Sequence, residues 1–177
     1  ESLTLSNNQL TTLPMEIGSL TQLRRLNIAN NSLRSLPAEI GALTHLQFLQ
    51  LNENQLTSLP AEIGLLTQLR SLHLDNNQLI TLPPEIGNLT RLVNLNISHN
   101  RLTALPDEIG NLQALSSLMA SNNQLTALPN QIGTLTHLER LWVDHNRLIR
   151  VPSELGRLTA LRQLYLSYNA LTLNFPR

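Results

Sequence analysis

At 177 residues and 41% hydrophobic content, the chain is long enough to bury a sizeable core. Twelve basic residues against twelve acidic ones leave a formal net charge of zero, which excludes the strong positive field expected of a protein that binds nucleic acid or an anionic membrane. Cysteine is absent, so no disulfide staples this sequence, and no apolar run approaches the length of a membrane span.

The first element enters in mid-strand: Leu3 and Leu5 flank Thr4, and the segment ends at Asn8. That asparagine recurs at Asn31, Asn54, Asn77, Asn100, Asn123, Asn146 and Asn169, a constant step of 23 residues. A fixed period in this range governs the fold as a whole and overrides an element-by-element reading. A half repeat (1–22) is followed by full repeats starting at residues 23, 46, 69, 92, 115 and 138, and by an irregular last repeat over 161–177. All seven glycines occupy one repeat position and seven of the nine prolines another, so both columns are structural.

Each unit predicts a strand, a turn and a return segment. In the unit from Leu138 to Ala160, Leu141 and Val143 alternate with Arg140, Trp142 and Asp144, the period-two signature of a strand with one buried face. Trp142 therefore points away from the core. After Asn146 the chain turns, and Leu148 and Val151 face inward. Pro152 suits the first position of a helical turn, with Glu154 near its positive end. Leu155, Leu158 and Leu161 then recur every three residues, a short helical or 3-10 spacing, and Gly156 marks either close packing or a positive φ. A long amphipathic helix is excluded, because a proline and a glycine interrupt every unit. In the last repeat, one inserted residue places Phe175 and Pro176 near the leucine-proline positions.

The LxxLxLxxNxL half of each unit resembles the leucine-rich repeat family, and nearly the whole chain carries it. The second half, LPxEIGxLTxL, is similar to the 23-residue Ras-group type known from cytoplasmic signalling proteins, Roco-type GTPases and some bacterial proteins. The resemblance implies an α/β fold: a right-handed solenoid, or horseshoe, with a concave parallel β-sheet, short helical or 3-10 segments on the convex side, and a role in holding protein partners. The chain is then a single domain over 1–177, and its mid-strand start and uncapped ends suggest a fragment of a longer protein. One repeat cannot bury its own leucines, so neighbours stack about 5 Å apart. The asparagine ladder sits where each strand ends, placed to satisfy backbone groups left unpaired by the bend.

Function is expected at the outward strand positions, where the repeat template is silent. One outward column reads Thr4, Asn27, Gln50, His73, Asn96, Met119, Trp142, Tyr165, polar at first and aromatic at last. Met119, Trp142 and Tyr165 form a stripe about 10 Å long over consecutive units. Arg140 lies to one side of it, and Asp144, His145 and Tyr168 to the other. Tryptophan, tyrosine and arginine on one exposed face have the composition of a binding hot spot. Two plainer accounts compete: cross-strand aromatic pairs that only stabilise the sheet, and terminal units covered by further chain. Phe48 is a weaker candidate four units away, and His73 completes the candidate partner-binding set.

No catalytic, metal or cofactor site is expected. Ser71, His73 and Asp75 share one strand face but lie about 6.6 Å apart in steps and should project in parallel without converging. His99 and His145 share a column two units apart, too far for a common metal. The glutamates at 16, 39, 62, 85, 108 and 154 read as serving their own helical turns. All twelve basic residues are arginine; inheritance of a lysine-free ancestral unit explains this, and avoidance of ubiquitin attachment, as in a bacterial effector inside a host cell, is the sharper alternative.

The expectation is thus a monomeric, non-enzymatic interaction module that binds a protein or peptide on its concave face and neither nucleic acid nor membrane. The alternative is the substrate- or regulator-binding part of a larger enzyme, such as a Roco-type GTPase or a ubiquitin ligase. A cytoplasmic setting is favoured over a eukaryotic secretory one by the lack of cysteine caps. In the secretory route the sequons at Asn30, Asn88 and Asn96 would be glycosylation acceptors.

Overall fold

Strands of three residues, each centred on a leucine, recur through the structure, a computed structural model that describes residues 1–172. The positions of Phe175 and Pro176 lie outside the described residues. The strands are β1 (Ser2–Thr4), β2 (Arg25–Asn27), β3 (Phe48–Gln50), β4 (Ser71–His73), β5 (Asn94–Asn96), β6 (Ser117–Met119), β7 (Arg140–Trp142) and β8 (Gln163–Tyr165). They form one parallel sheet in chain order, and every residue pairs with the one 23 positions later. This register makes each repeat column a physical column, so a residue's neighbours across the sheet can be read directly from the repeat.

The return segments are 3-10 helices of five residues, from Met15–Ser19 to Ser153–Arg157, stacked against one another as the strands are. The chain is therefore a two-walled solenoid: the concave sheet forms one wall, the 3-10 helices form the convex wall, and the leucines and isoleucines lie between. From Leu26 to Leu148 the central strand leucines and their return partners are almost wholly shielded from solvent. At the two ends Leu3, Leu5 and Leu10, and Leu155, Leu161, Leu164, Leu166 and Leu171, are only partly covered. Val151 is likewise half-buried rather than fully inward.

Two local expectations need correction. The seven prolines of the repeat column do not begin the helical turns; they precede them as extended caps, with φ −66 to −70° and ψ 145 to 152°, and only Pro84, outside that column, opens a turn among the described residues. Their carbonyls accept the first amide of each turn, as in Ile63 N to Pro60 O at 3.0 Å. Six glycines, from Gly18 to Gly133, serve close packing against the next unit, Gly156 has no such neighbour among the described residues, and none of the seven has a positive φ. The left-handed position is instead the residue just before each ladder asparagine: Asn7, Asn30, Glu53, Asn76, His99, Asn122, His145 and Tyr168, with φ between 52 and 59°. The strand bends there, which brings the next side chain, the asparagine, inward.

The ladder does more than cap its own bend. Asn77 Oδ1 accepts the amide of Leu56 in the preceding unit at 2.9 Å. Its Nδ2 donates to Leu74 O in its own unit and to Leu51 O in the preceding one, both at 3.0 Å. Asn54, Asn100, Asn123 and Asn146 repeat this arrangement, so each interior asparagine stitches two units together. Asn8, in the first described unit, donates to Leu5 O and Ser6 O, both within its own unit.

Candidate functional site

The outer face of the sheet is mostly polar and small until β6. There Ser117, Ser121 and half-buried Met119 form a low floor. Beyond it Arg140, Trp142 and Asp144 rise on β7 and its extension, followed by Tyr165 on β8 and Tyr168 after it. The 23-residue register places Trp142 beside Tyr165, and the two rings stack with centroids 5.2 Å apart and planes 12° from parallel. One column further, His145 and Tyr168 stack at 4.2 Å and 16°. These two near-parallel pairs, side by side across β7 and β8, are worth roughly 0.5–1.5 kcal/mol each beyond their buried area.

Exposure within the group is uneven. Tyr165 is 47% and Tyr168 76% exposed, whereas Trp142 is half-buried between its neighbours, contrary to the expectation that its side chain stands free. Its Nε1 is buried and has no hydrogen-bond partner among the described residues. A buried indole N–H normally finds an acceptor, and leaving it without one costs roughly 1–3 kcal/mol. Asp144 is pinned by a 2.5 Å hydrogen bond from the Ser121 hydroxyl, and its other oxygen lies 3.9 Å from His145 Nε2. Arg140 is exposed and forms no ion pair among the described residues, while its neighbour Glu139 faces Arg162 at 3.8 Å.

The weaker candidates separate from this cluster. Phe48 on β3 is half-buried beneath the guanidinium of Arg25, 5.1 Å from the ring centroid, in a shallow depression shared with Thr4, Asn27 and Gln50. Sequence reasoning missed Arg25, although its position 23 residues before Phe48 signals the contact. His73 on β4 is half-buried, and Ser71 Oγ lies 3.0 Å from its Nε2. The expectation of parallel, non-converging side chains is wrong for this pair: the imidazole reaches along the strand and closes the gap that the backbone spacing leaves. The third member does not join them, since Asp75 accepts from Asn76 Nδ2 at 3.1 Å. Among the described residues no three His, Cys, Asp or Glu side chains gather to hold a metal. His99 meets Asn122 at 3.4 Å, while His45 and His137 bond backbone carbonyls of the preceding unit.

The same residues that build the solenoid identify its family. Residues 3–103 and 85–173 match the family profile described as a leucine-rich repeat region, and the chain belongs to the leucine-rich repeat family. It is similar in structure to a leucine-rich repeat protein of Leptospira interrogans, with 41% identity, a TM-score of 0.74, and coverage of 98% of this chain and 50% of that one. The plant peptide hormone receptor RGFR1, solved in complex with RGF2, matches at 34% identity and TM-score 0.83 over 93% of this chain and 27% of its own. The ectodomain of the Arabidopsis thaliana membrane receptor kinase GASSHO1/SCHENGEN3, in complex with CASPARIAN STRIP INTEGRITY FACTOR 2, matches at 32% and 0.76 over 97% and 27%. The chain thus spans half or less of each of these structures. No curated protein matches the sequence. Among the described residues no helix is long and apolar enough to cross a membrane.

Proposed function

We propose that the chain is a non-enzymatic recognition module that holds a protein or peptide on its concave face, anchored at β6 to β8. The observation that carries this reading is the pair of aromatic stacks, Trp142 on Tyr165 and His145 on Tyr168, beside the exposed Arg140, which has no ion pair among the described residues. Aromatic and arginine side chains grouped on one patch supply the large, rigid contact area that concentrates binding energy. The buried indole N–H, without a partner among the described residues, is compatible with this reading, since an acceptor supplied by a ligand would satisfy it. Two of the similar plant structures are complexes with RGF2 and CASPARIAN STRIP INTEGRITY FACTOR 2, which is compatible with a peptide or protein ligand here. We further place the module in the cytosol, on the strength of its cysteine-free sequence.

The test separates binding from folding. Trp142→Ala would remove a half-buried ring, so the exposed pair Tyr165→Ala, Tyr168→Ala is the cleaner variant. It is expected to stay folded, melting about 2–12 °C lower for the loss of two stacks worth about 0.5–1.5 kcal/mol each, and to lose the partners that the wild type retains in affinity purification. Equal recovery of the same proteins would remove the patch as the binding site.

A further inference from the structure

Charge on the concave face beside the aromatic stacks is ordered. Arg140, Trp142 and Asp144 occupy alternate positions along β7 and its extension, so a cation, an apolar surface and an anion face outward in one row. Alternate residues of an extended chain lie about 6.6 Å apart. Asp144 is held in place by Ser121, and Arg140 projects from beside the buried Ser117, with no ion pair among the described residues. Met119 and the two serines lie lower in the preceding rung, and Tyr165 and Tyr168 wall the other side.

Building on the reading of β6 to β8 as the binding face, we propose that this row selects an extended peptide segment carrying an acidic and a basic residue four positions apart, with an apolar residue midway. Such a segment, laid along β7 in either chain direction, projects every second side chain toward the sheet at the same interval of about 6.6 Å as the row beneath it. Its acidic group meets Arg140, its apolar group rests on Trp142 and Met119, and its basic group meets Asp144. A segment with charge of one sign sets a like charge against one end of the row. Like-charge juxtaposition and unpaired desolvated groups are what exclude wrong partners at an interface.

A random peptide library displayed on phage, panned on the wild-type protein and on Arg140→Glu and Asp144→Lys, tests this. The wild type is expected to enrich opposite charges flanking an apolar residue at that spacing. Arg140→Glu should enrich two basic residues, and Asp144→Lys two acidic ones. A synthetic copy of a wild-type-selected peptide with its acidic residue changed to lysine should bind the wild type about tenfold more weakly and regain affinity on Arg140→Glu. Peptides that bind but lack the charge spacing, or that keep the same charges on Arg140→Glu, overturn this inference while leaving the aromatic patch as a site. Failure to enrich any peptide, or enrichment unaffected by Tyr165→Ala, Tyr168→Ala, overturns the binding-face reading and this inference with it.

Discussion

Replacing Asn77 with alanine is expected to destabilise the protein by about 3 kcal/mol, several times the effect of an ordinary surface substitution. The side chain is 8% exposed and makes two strong donations and one acceptance, all to backbone groups that are themselves buried. Alanine leaves the Leu56 amide without an acceptor, and a buried unsatisfied donor alone costs roughly 1–3 kcal/mol. It also removes one partner each from the Leu51 and Leu74 carbonyls. Because the bonds run to two units, the substitution loosens the contact between neighbours, the term on which solenoid stability depends.

Two controls isolate the mechanism. Asn77→Asp preserves shape and the acceptor but turns a carboxylate toward the Leu51 and Leu74 carbonyls, so it should cost more than alanine. Asn8→Ala removes an exposed side chain bonded only within its own unit, and should cost no more than about 0.5 kcal/mol. Urea unfolding followed by circular dichroism measures all three. An Asn77→Ala midpoint no lower than that of Asn8→Ala would show that the ladder does not couple the units.

The solenoid is legible in the sequence because its determinants are one-dimensional. Period, inward leucines and the asparagine column are each fixed by position in a unit, and the constant register converts sequence columns into spatial ones. The Trp142–Tyr165 stack follows by the same rule, since the two residues are one period apart. The parts that escape depend on side-chain reach or on backbone conformation. The left-handed column is hidden because no glycine marks it, although its occupants include four asparagines and two histidines, types enriched in that conformation. Glu53 and Tyr168 occupy it only because the bend imposes it. Trp142 is expected to be exposed from its outward direction alone. Direction sets which face a side chain takes, and its neighbours, here Met119 and Tyr165, set how much of it remains in water. The Ser71–His73 approach is missed for a related reason: backbone spacing along a strand does not bound the distance between a long side chain and a short one.

Glycine supplies the second large effect, and it separates two positions that the sequence presents as equivalent. A Cβ built on Gly133 would lie 2.5 Å from the Glu154 carbonyl oxygen and 2.6 Å from Glu154 Cβ, both in the next 3-10 segment. Backbone cannot rotate away as a side-chain tip can, so the two units must part by most of an ångström, against the stacking of every unit around them. Gly133→Ala is therefore expected to cost about 3 kcal/mol, at the upper end of overpacking effects. If the melt is two-state, that is a fall of about 6–12 °C. Gly156 occupies the same repeat position, yet a Cβ placed there would have nothing within 4 Å among the described residues, and its φ is not positive. There alanine meets none of the described residues and restricts the unfolded chain, so Gly156→Ala should be neutral or stabilise by up to about 1 kcal/mol. Thermal melts of the two variants side by side decide the matter. If both fall equally, the column is required for backbone conformation rather than for the close approach of stacked units, and the packing account of the glycines is wrong.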